Sequence, residues 1–349
     1  MIKKLSGAIV LFFTILSYGQ TVVPGIIEER GEVRIMFYNV ENFFDTINDS
    51  LTLDDEFLPA GRYGWTEEKC WKKANQIFKT IASVGGTKPP EIVGFAEIEN
   101  KSVLQRLAYG TPLSKYSWKI VHYESPDLRG IDVGLIYRDD ILQLLSSGNI
   151  RIHFPDQPGK KTRDILYCTF RYGQNEIFHL FINHWPSRRG GEKKSESSRV
   201  FVASVLKNKT DSILRTDPAA KIIITGDFND EPENSSILSG LEAGSREDRA
   251  DTGNLYNLSA VLKQQCNCGT YRYRNTWNMF DQFMVSGSLI AGSGGLSTCW
   301  DCVHIAAFDF LMTEDTKYGG YKPYRTYTGP SYRGGFSDHL PVYLDLFLQ

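Results

Sequence analysis

The sequence predicts an α+β fold in which strands outnumber helices and run to one shared polar rim. Apolar, β-branched segments recur without the regular strand–helix alternation that a doubly wound parallel sheet requires. At least six of them end on polar residues: Asn39, Glu97, His184, Asp227 with Asn229, Asp281, and Asp338 with His339. One aspartate at a strand end is a turn; this many together are explained by strands converging on one edge. The 349 residues, 41% hydrophobic and 23% charged, can fill one large core. No repeat, low-complexity tract or linker divides them, so residues 20–349 are expected to form a single domain.

Residues 1–19 read as a secretory signal: Lys3 and Lys4, an apolar run from Ala8 to Leu16, and small residues before a cleavage point near Gly19 and Gln20. The run is too short for a stable membrane anchor, and no other stretch approaches the roughly 18 apolar residues of a span. An exported protein, periplasmic or secreted, is expected. Losing the two lysines takes the formal charge from −2 to −4, so any attraction to nucleic acid must be local. Candidate basic patches are Lys160, Lys161 and Arg163, and Arg188, Arg189, Lys193 and Lys194, each also readable as a solvated face. Of six cysteines, Cys70 and Cys168 read as small buried hydrophobes. Cys266, Cys268, Cys299 and Cys302 are expected to close an insertion through one or two disulfides, with zinc as the alternative.

Along the chain, Arg34 to Val40 is a strand ending on Asn39 and Glu41. Thr66 to Val84 is a helix whose apolar stripe (Cys70, Trp71, Ala74, Ile77, Phe78, Ile81) faces the core. Glu91 to Asn100 is a strand carrying Glu97 and Glu99 on one side, a conflict relieved by a cation at Glu97 or by exposure of both. A short helix, Ser102 to Tyr109, leads through His122 and Glu124 to Arg129 and Asp132, which opens the strand Val133 to Arg138. Strands Ile165 to Arg171 and Glu176 to Asn183 form a hairpin, and Pro186 leaves His184 at the rim. Glu192 to Leu214 is a helix.

Ile222 to Ile224 is a strand buried on both faces, and Gly226 lets the backbone turn to present Asp227 and Asn229. A carboxylate that accepts or orients a water proton beside an amide that donates to a phosphate oxygen suits phosphoryl chemistry, although the same pattern also closes strands as an Asx turn. The chain is then loop-rich to Leu262. Gly269 to Ser286 mixes aromatics with Arg272 and Arg274 and ends in a strand containing Asp281. Tyr271-Arg272-Tyr273-Arg274 could stack on bases and touch phosphates, or be a strand with tyrosines packed and arginines exposed. Residues 293–297 form a glycine-rich connector, 316–333 a surface loop, and a final strand follows from Gly335.

The stretches FYNVEN (37–42), FAEIEN (95–100), GIDVGLIYR (130–138), INHWPSR (182–188), TGDFND (225–230), FDQFMVS (280–286) and SDHLPV (337–342) together resemble the endonuclease/exonuclease/phosphatase superfamily, the fold of deoxyribonuclease I. The segment from Cys266 to Cys302 departs from the family's common pattern. The resemblance implies a four-layered α/β/β/α sandwich of two mixed sheets with the active site at one edge. It implies that Asn39, Glu97 and Asp338 gather around a divalent cation, and hard oxygen donors favour Mg²⁺, with Mn²⁺ or Ca²⁺ possible, over zinc. It implies that Asp227 and Asn229 position water and phosphate, that Asp281 orients His339, and that His184, oriented by Asp132, acts opposite. Arg129 could clamp a phosphate oxygen or be an ordinary surface arginine.

The function expected is an exported, metal-dependent phosphodiesterase, a nuclease acting on DNA or RNA, with Arg129, Arg188, Arg272 and Arg274 meeting the substrate. The alternatives are a sphingomyelinase-like phospholipid diesterase, an inositol-phosphate phosphatase and a binding module without activity. Nucleic acid is the partner expected; no protein partner is inferred.

Overall fold

The computed structural model describes residues 30–246, 250–292 and 294–349; the signal sequence expected over residues 1–19 lies outside them. In chain order the chain forms β1 (Val33–Phe43), α1 (Glu67–Gly85), β2 (Ile92–Ile98), α2 (Lys101–Gly110), β3 (Trp118–His122), β4 (Asp132–Arg138), β5 (Leu142–Ile150), β6 (Ile165–Tyr172), β7 (Glu176–His184), α3 (Glu192–Thr216) and β8 (Lys221–Asp227). There follow β9 (Ala243–Gly244), β10 (Leu255–Asn257), α4 (Leu258–Cys266), β11 (Tyr271–Tyr273), β12 (Thr276–Asn278), β13 (Asp281–Ser286) and, after several short pieces, the closing strand Val342–Leu348.

Two seven-stranded sheets result. One runs Leu296–Ser297, closing strand, β1, β2, β4, β3, with Val303–Ile305 also on the closing strand; the other runs β5, β6, β7, β8, β13, β10, β9. Both are mixed, β1 with β2 and β7 with β8 being parallel and most other pairs antiparallel. Alternation along each strand divides the core into layers. Ile35, Phe37 and Leu344 face Phe178, Leu180 and Phe283 between the sheets. Met36, Tyr38 and Phe95 pack outward against Ile77, Ile81 and Leu104 of α1 and α2. Phe181, Ile222 and Ile224 pack outward against Val202, Ala203 and Leu206 of α3. The α+β sandwich of four layers is the fold.

Thr66 caps α1, accepting from the Lys69 amide. Its buried stripe holds Cys70, Ala74, Ile77 and Ile81, but Trp71 lies one position round the helix, 37% exposed beneath the Arg106 guanidinium. Lys73 is buried instead, its ammonium donating to Thr326 Oγ1 (2.6 Å) and the Phe336 carbonyl (2.5 Å). The loop expected before Leu262 contains a π-helical turn, Ser236–Leu241, against α3 and the start of α4. The surface loop expected over 316–333 contributes to two small hairpins, with Thr326 and Tyr327 buried. Disulfides join Cys266 to Cys268 and Cys299 to Cys302, so each closes its own turn and neither ties the ends of the insertion together. Cys70 and Cys168 are free and buried.

Candidate active site

Strands β7, β8 and β13 lie side by side, and their register sets His184 opposite Asp227 and Asp227 opposite Asp281. Three polar side chains thus stand in one row at the sheet's edge. Gly226, at φ +155°, makes the approach possible: a Cβ there would meet the Asn183 carbonyl oxygen at 2.3 Å. On the facing sheet the register of β2 shifts between Ala96 and Ile98, leaving Glu97 at φ +61°; β1 shifts after Asn39, with Glu41 and Asn42 also at positive φ. Such bulges turn a side chain out of the strand's alternation, and strained backbone of this kind concentrates at functional sites. The Asn42 amide donates to Glu97 Oε2 (3.0 Å). Asn39 bridges the sheets: its Nδ2 donates to Asp227 Oδ2 (3.0 Å), and its Oδ1 accepts from the Glu41 amide (3.0 Å). Asn229, at φ +50°, donates its backbone N–H to Asp227 Oδ1 (2.9 Å) and its side-chain amide to the Trp185 carbonyl (3.2 Å).

His339 arrives from the loop before the closing strand. Its Nδ1 is 2.7 Å from Asp281 Oδ2, its Nε2 3.8 Å from Asp227 Oδ2, and the Tyr271 ring packs at 4.9 Å. Burial opposes its charge, but the Asp281 and Asp227 carboxylates outweigh burial and hold the imidazole's pKa well above the usual histidine range. Burial, reinforced by Asp281 and only partly offset by His339, pushes Asp227 up to about 7. His184 goes the other way: burial, with the Arg163 and Arg129 charges, holds it well below the usual range. Its Nε2 is 3.6 Å from Asp227 Oδ2 and 4.0 Å from Glu97 Oε1, while its buried Nδ1 has no partner among the described residues. The orienting role expected of Asp132 is therefore corrected. Asp132 Oδ2 sits 3.1 Å from His122 Nε2 and its Oδ1 accepts from the Ser125 amide (2.9 Å), because β4 pairs there with β3 and not with β7.

A cavity of about 620 Å³ is lined by Glu97, His184, Asp227, Asn229, Asp338 and His339 among others. Glu97 and Asp338 reach it from opposite ends of the sequence, and Asp338 Oδ2 accepts from Arg325 (2.6 Å), whose Nε lies 3.3 Å from Glu41 Oε1. Burial and the nearby Asp338 push Glu41 up to about 7, with Lys73 and Arg325 pulling the other way, so carboxylates and cations share this end of the site. Hard carboxylate oxygens fit Mg²⁺, Mn²⁺ or Ca²⁺. Glu97 and Asp338 could hold such an ion directly. Asn39 is buried behind the lining, its amide already spanning Glu41 and Asp227. Asp227, Asp281 and His339 also offer ligand atoms within 4.8 Å of one another, but there the hydrogen bond between His339 and Asp281 occupies the imidazole Nδ1.

The arginines divide. Arg129 lines the cavity with its side chain 48% exposed. Arg188 also borders it, but donates to the Asn229 carbonyl (2.7 Å), Glu192, Asp230 and Asn234, holding the turn after β8. Arg272 donates to the carbonyls of Tyr321 (2.6 Å) and Gly319 (2.8 Å), its side chain only 7% exposed. Arg274 is at the β11–β12 turn over the Tyr273 ring. Of the two readings of this tetrapeptide neither holds in full: Tyr271 and Tyr273 line the cavity, as base stacking needs, but Arg272 is tucked away from it. Arg325 and Lys73 went unmarked in the sequence, and Arg163, placed there in a basic patch, is buried and donates to Asp127 (3.1 Å) and the Trp185 carbonyl (2.5 Å). Only Arg163 gave a signal, as part of a basic run.

The catalytic domain of human Nocturnin solved with a sulfate anion is similar in structure, at TM-score 0.53 and 16% identity over 91% of this chain and 94% of that one. A humanized TDP2 from D. rerio matches at TM-score 0.54 and 15% identity, covering 90% and 98%. A mannosyl-6-phosphatase from Bacteroides thetaiotaomicron matches at TM-score 0.52 and 16% identity, covering 90% and 100%. No curated protein matches the sequence. These structures share the fold. The sequence profile described as the endonuclease/exonuclease/phosphatase family matches residues 34–347. With that match running through every strand of the rim, the chain belongs to the endonuclease/exonuclease/phosphatase family and is a hydrolase of phosphate esters.

Proposed function

We propose that this chain, as one domain over residues 20–349, is an exported, metal-dependent phosphodiesterase that cleaves nucleic acid. One observation carries the reading: the Asp227 carboxylate and the His339 imidazole, 3.8 Å apart, share one cavity with two further carboxylates, Glu97 and Asp338. Asp227 accepts the proton of the attacking water, and the free N–H of the Asn229 amide donates to a phosphate oxygen as charge grows there. His339, oriented by Asp281, gives its Nε2 proton to the departing oxygen. His184 remains neutral beside Asp227 and Glu97 and donates toward the phosphate from the far side. Glu97 and Asp338, with Asn39 supporting from behind, would hold a divalent cation, which when bound would supply Lewis-acid charge.

The cavity is open and bordered by Tyr271, Tyr273, Phe280 and Arg129, which suits a chain of bases and phosphates more than one small phosphomonoester. Export is supported by the amino-terminal pattern around Lys3, Lys4 and Ala8 to Leu16 and by two disulfides, which persist in oxidising compartments. Among the described residues no helix is long and apolar enough to cross a membrane. The test offers the purified mature protein, with Mg²⁺, Mn²⁺ or Ca²⁺, plasmid DNA, RNA, sphingomyelin and an inositol phosphate side by side. Nucleic acid cleaved fastest supports the reading; faster hydrolysis of the lipid or the monoester overturns it.

A further inference from the structure

The cavity at the reaction centre does not end there. Arg129 and Arg189 line both it and a second cavity of about 300 Å³, so the two meet at this pair. The second cavity is walled by Phe44, Phe57 and Tyr63, rings stacked in series at centroid separations of 4.3 and 4.7 Å. Neither guanidinium at the junction makes a hydrogen bond among the described residues. Arg189 is exposed and makes no hydrogen bond or ion pair among the described residues. Arg129 is 3.8 Å from Asp127 Oδ1, but that carboxylate already accepts from Arg163 (3.1 Å) and from the Arg129 backbone amide (3.0 Å). Arg188, Arg272 and Arg325, by contrast, are each fixed by close partners. Two guanidiniums without a hydrogen-bonded acceptor, bordering the same two cavities, gain from an anion placed there.

We propose that Arg129 and Arg189 form a second phosphate subsite, which takes the phosphate next to the scissile one in a polynucleotide while the adjoining nucleoside enters the second cavity past the edges of Phe57 and Tyr63. The proposal rests on the phosphodiesterase reading and narrows it to substrates with at least two linked phosphates. A lipid diester or a sugar monoester brings one phosphate and leaves the second cavity unfilled.

The test uses the full mature chain and the double variant Arg129→Gln/Arg189→Gln. Binding of a short labelled single-stranded oligonucleotide, measured by fluorescence anisotropy in chelator so that nothing is cut, should weaken about tenfold in the variant. The slope of log binding constant against log salt should flatten by about 0.7, one phosphate's share for a single strand. With Mg²⁺, the loss of kcat/KM should be several times greater on the oligonucleotide than on bis(p-nitrophenyl) phosphate, which has no second phosphate. Unchanged binding and slope would overturn the subsite, as would equal losses on both substrates, which put the pair on the reacting phosphate. So would tighter binding to phosphatidylglycerol vesicles than to the oligonucleotide, lost in the variant. Wild-type inactivity on both diesters refutes the phosphodiesterase reading instead, and the anisotropy arm still reports on the subsite.

Discussion

His339 Nδ1 lies 2.7 Å from Asp281 Oδ2, and the other oxygen of that buried carboxylate has no partner among the described residues. Asp281 is thus committed to one imidazole. His339→Ala should lower kcat by about 10²–10⁴-fold, the usual worth of a positioned acid or base. Asp281→Asn should lose much of the same function, and the double variant should be little worse than His339→Ala. Steady-state kinetics on the four proteins check this; strictly additive losses would separate the two residues.

His184 and Asp132 behave differently. Asp132 holds His122 and Ser125 at the start of β4, so Asp132→Ala strips part-buried groups of their partner and should cost about 1 kcal/mol of stability. Its kcat should fall far less than that of Asp281→Asn. Urea unfolding and kinetics on the same preparations test the distinction, and a rate loss matching Asp281→Asn would restore Asp132 to the reaction.

Asp230, fully buried, has a structural part. It pairs with Arg199 of α3 (2.7 Å) and with Arg188 (3.1 Å), and accepts from Ser236 Oγ (2.6 Å). Asp230→Ala leaves Arg199 charged and buried, at an expected cost of about 3–5 kcal/mol. Thermal or urea denaturation reads it; a variant as stable as the wild type would mean the pair contributes little.

The strands that build the rim were legible because each ends an apolar run on a polar residue, as Ile222 to Asp227 does. What pairs with what across the rim was less so. Arg325 meets Glu41 across 284 residues, and nothing in its Tyr, Pro and Gly-rich surroundings marks it. Lys73 sits in an otherwise exposed-looking helical position, buried only because the 326–336 segment folds over it. Tyr271 to Tyr273 was legible as a strand, but which of its faces meets the cavity stayed open, since a shift of one residue exchanges the faces. Asp132 precedes a strand of the sheet that does not hold His184, a fact of topology and not of spacing.

The proposed chemistry requires a divalent cation at Glu97, whose carboxylate is aimed by a bulge and held by the Asn42 amide. The decisive measurement is a Mg²⁺ titration of DNA cleavage by the wild type and Glu97→Gln, which keeps the side chain's shape and removes its charge. The wild type should be inactive in excess chelator and recover with Mg²⁺. Glu97→Gln should be strongly impaired, partly recovering only at much higher Mg²⁺. Full wild-type activity in chelator, or a Glu97→Gln titration curve that overlays the wild type, would contradict a cation at Glu97.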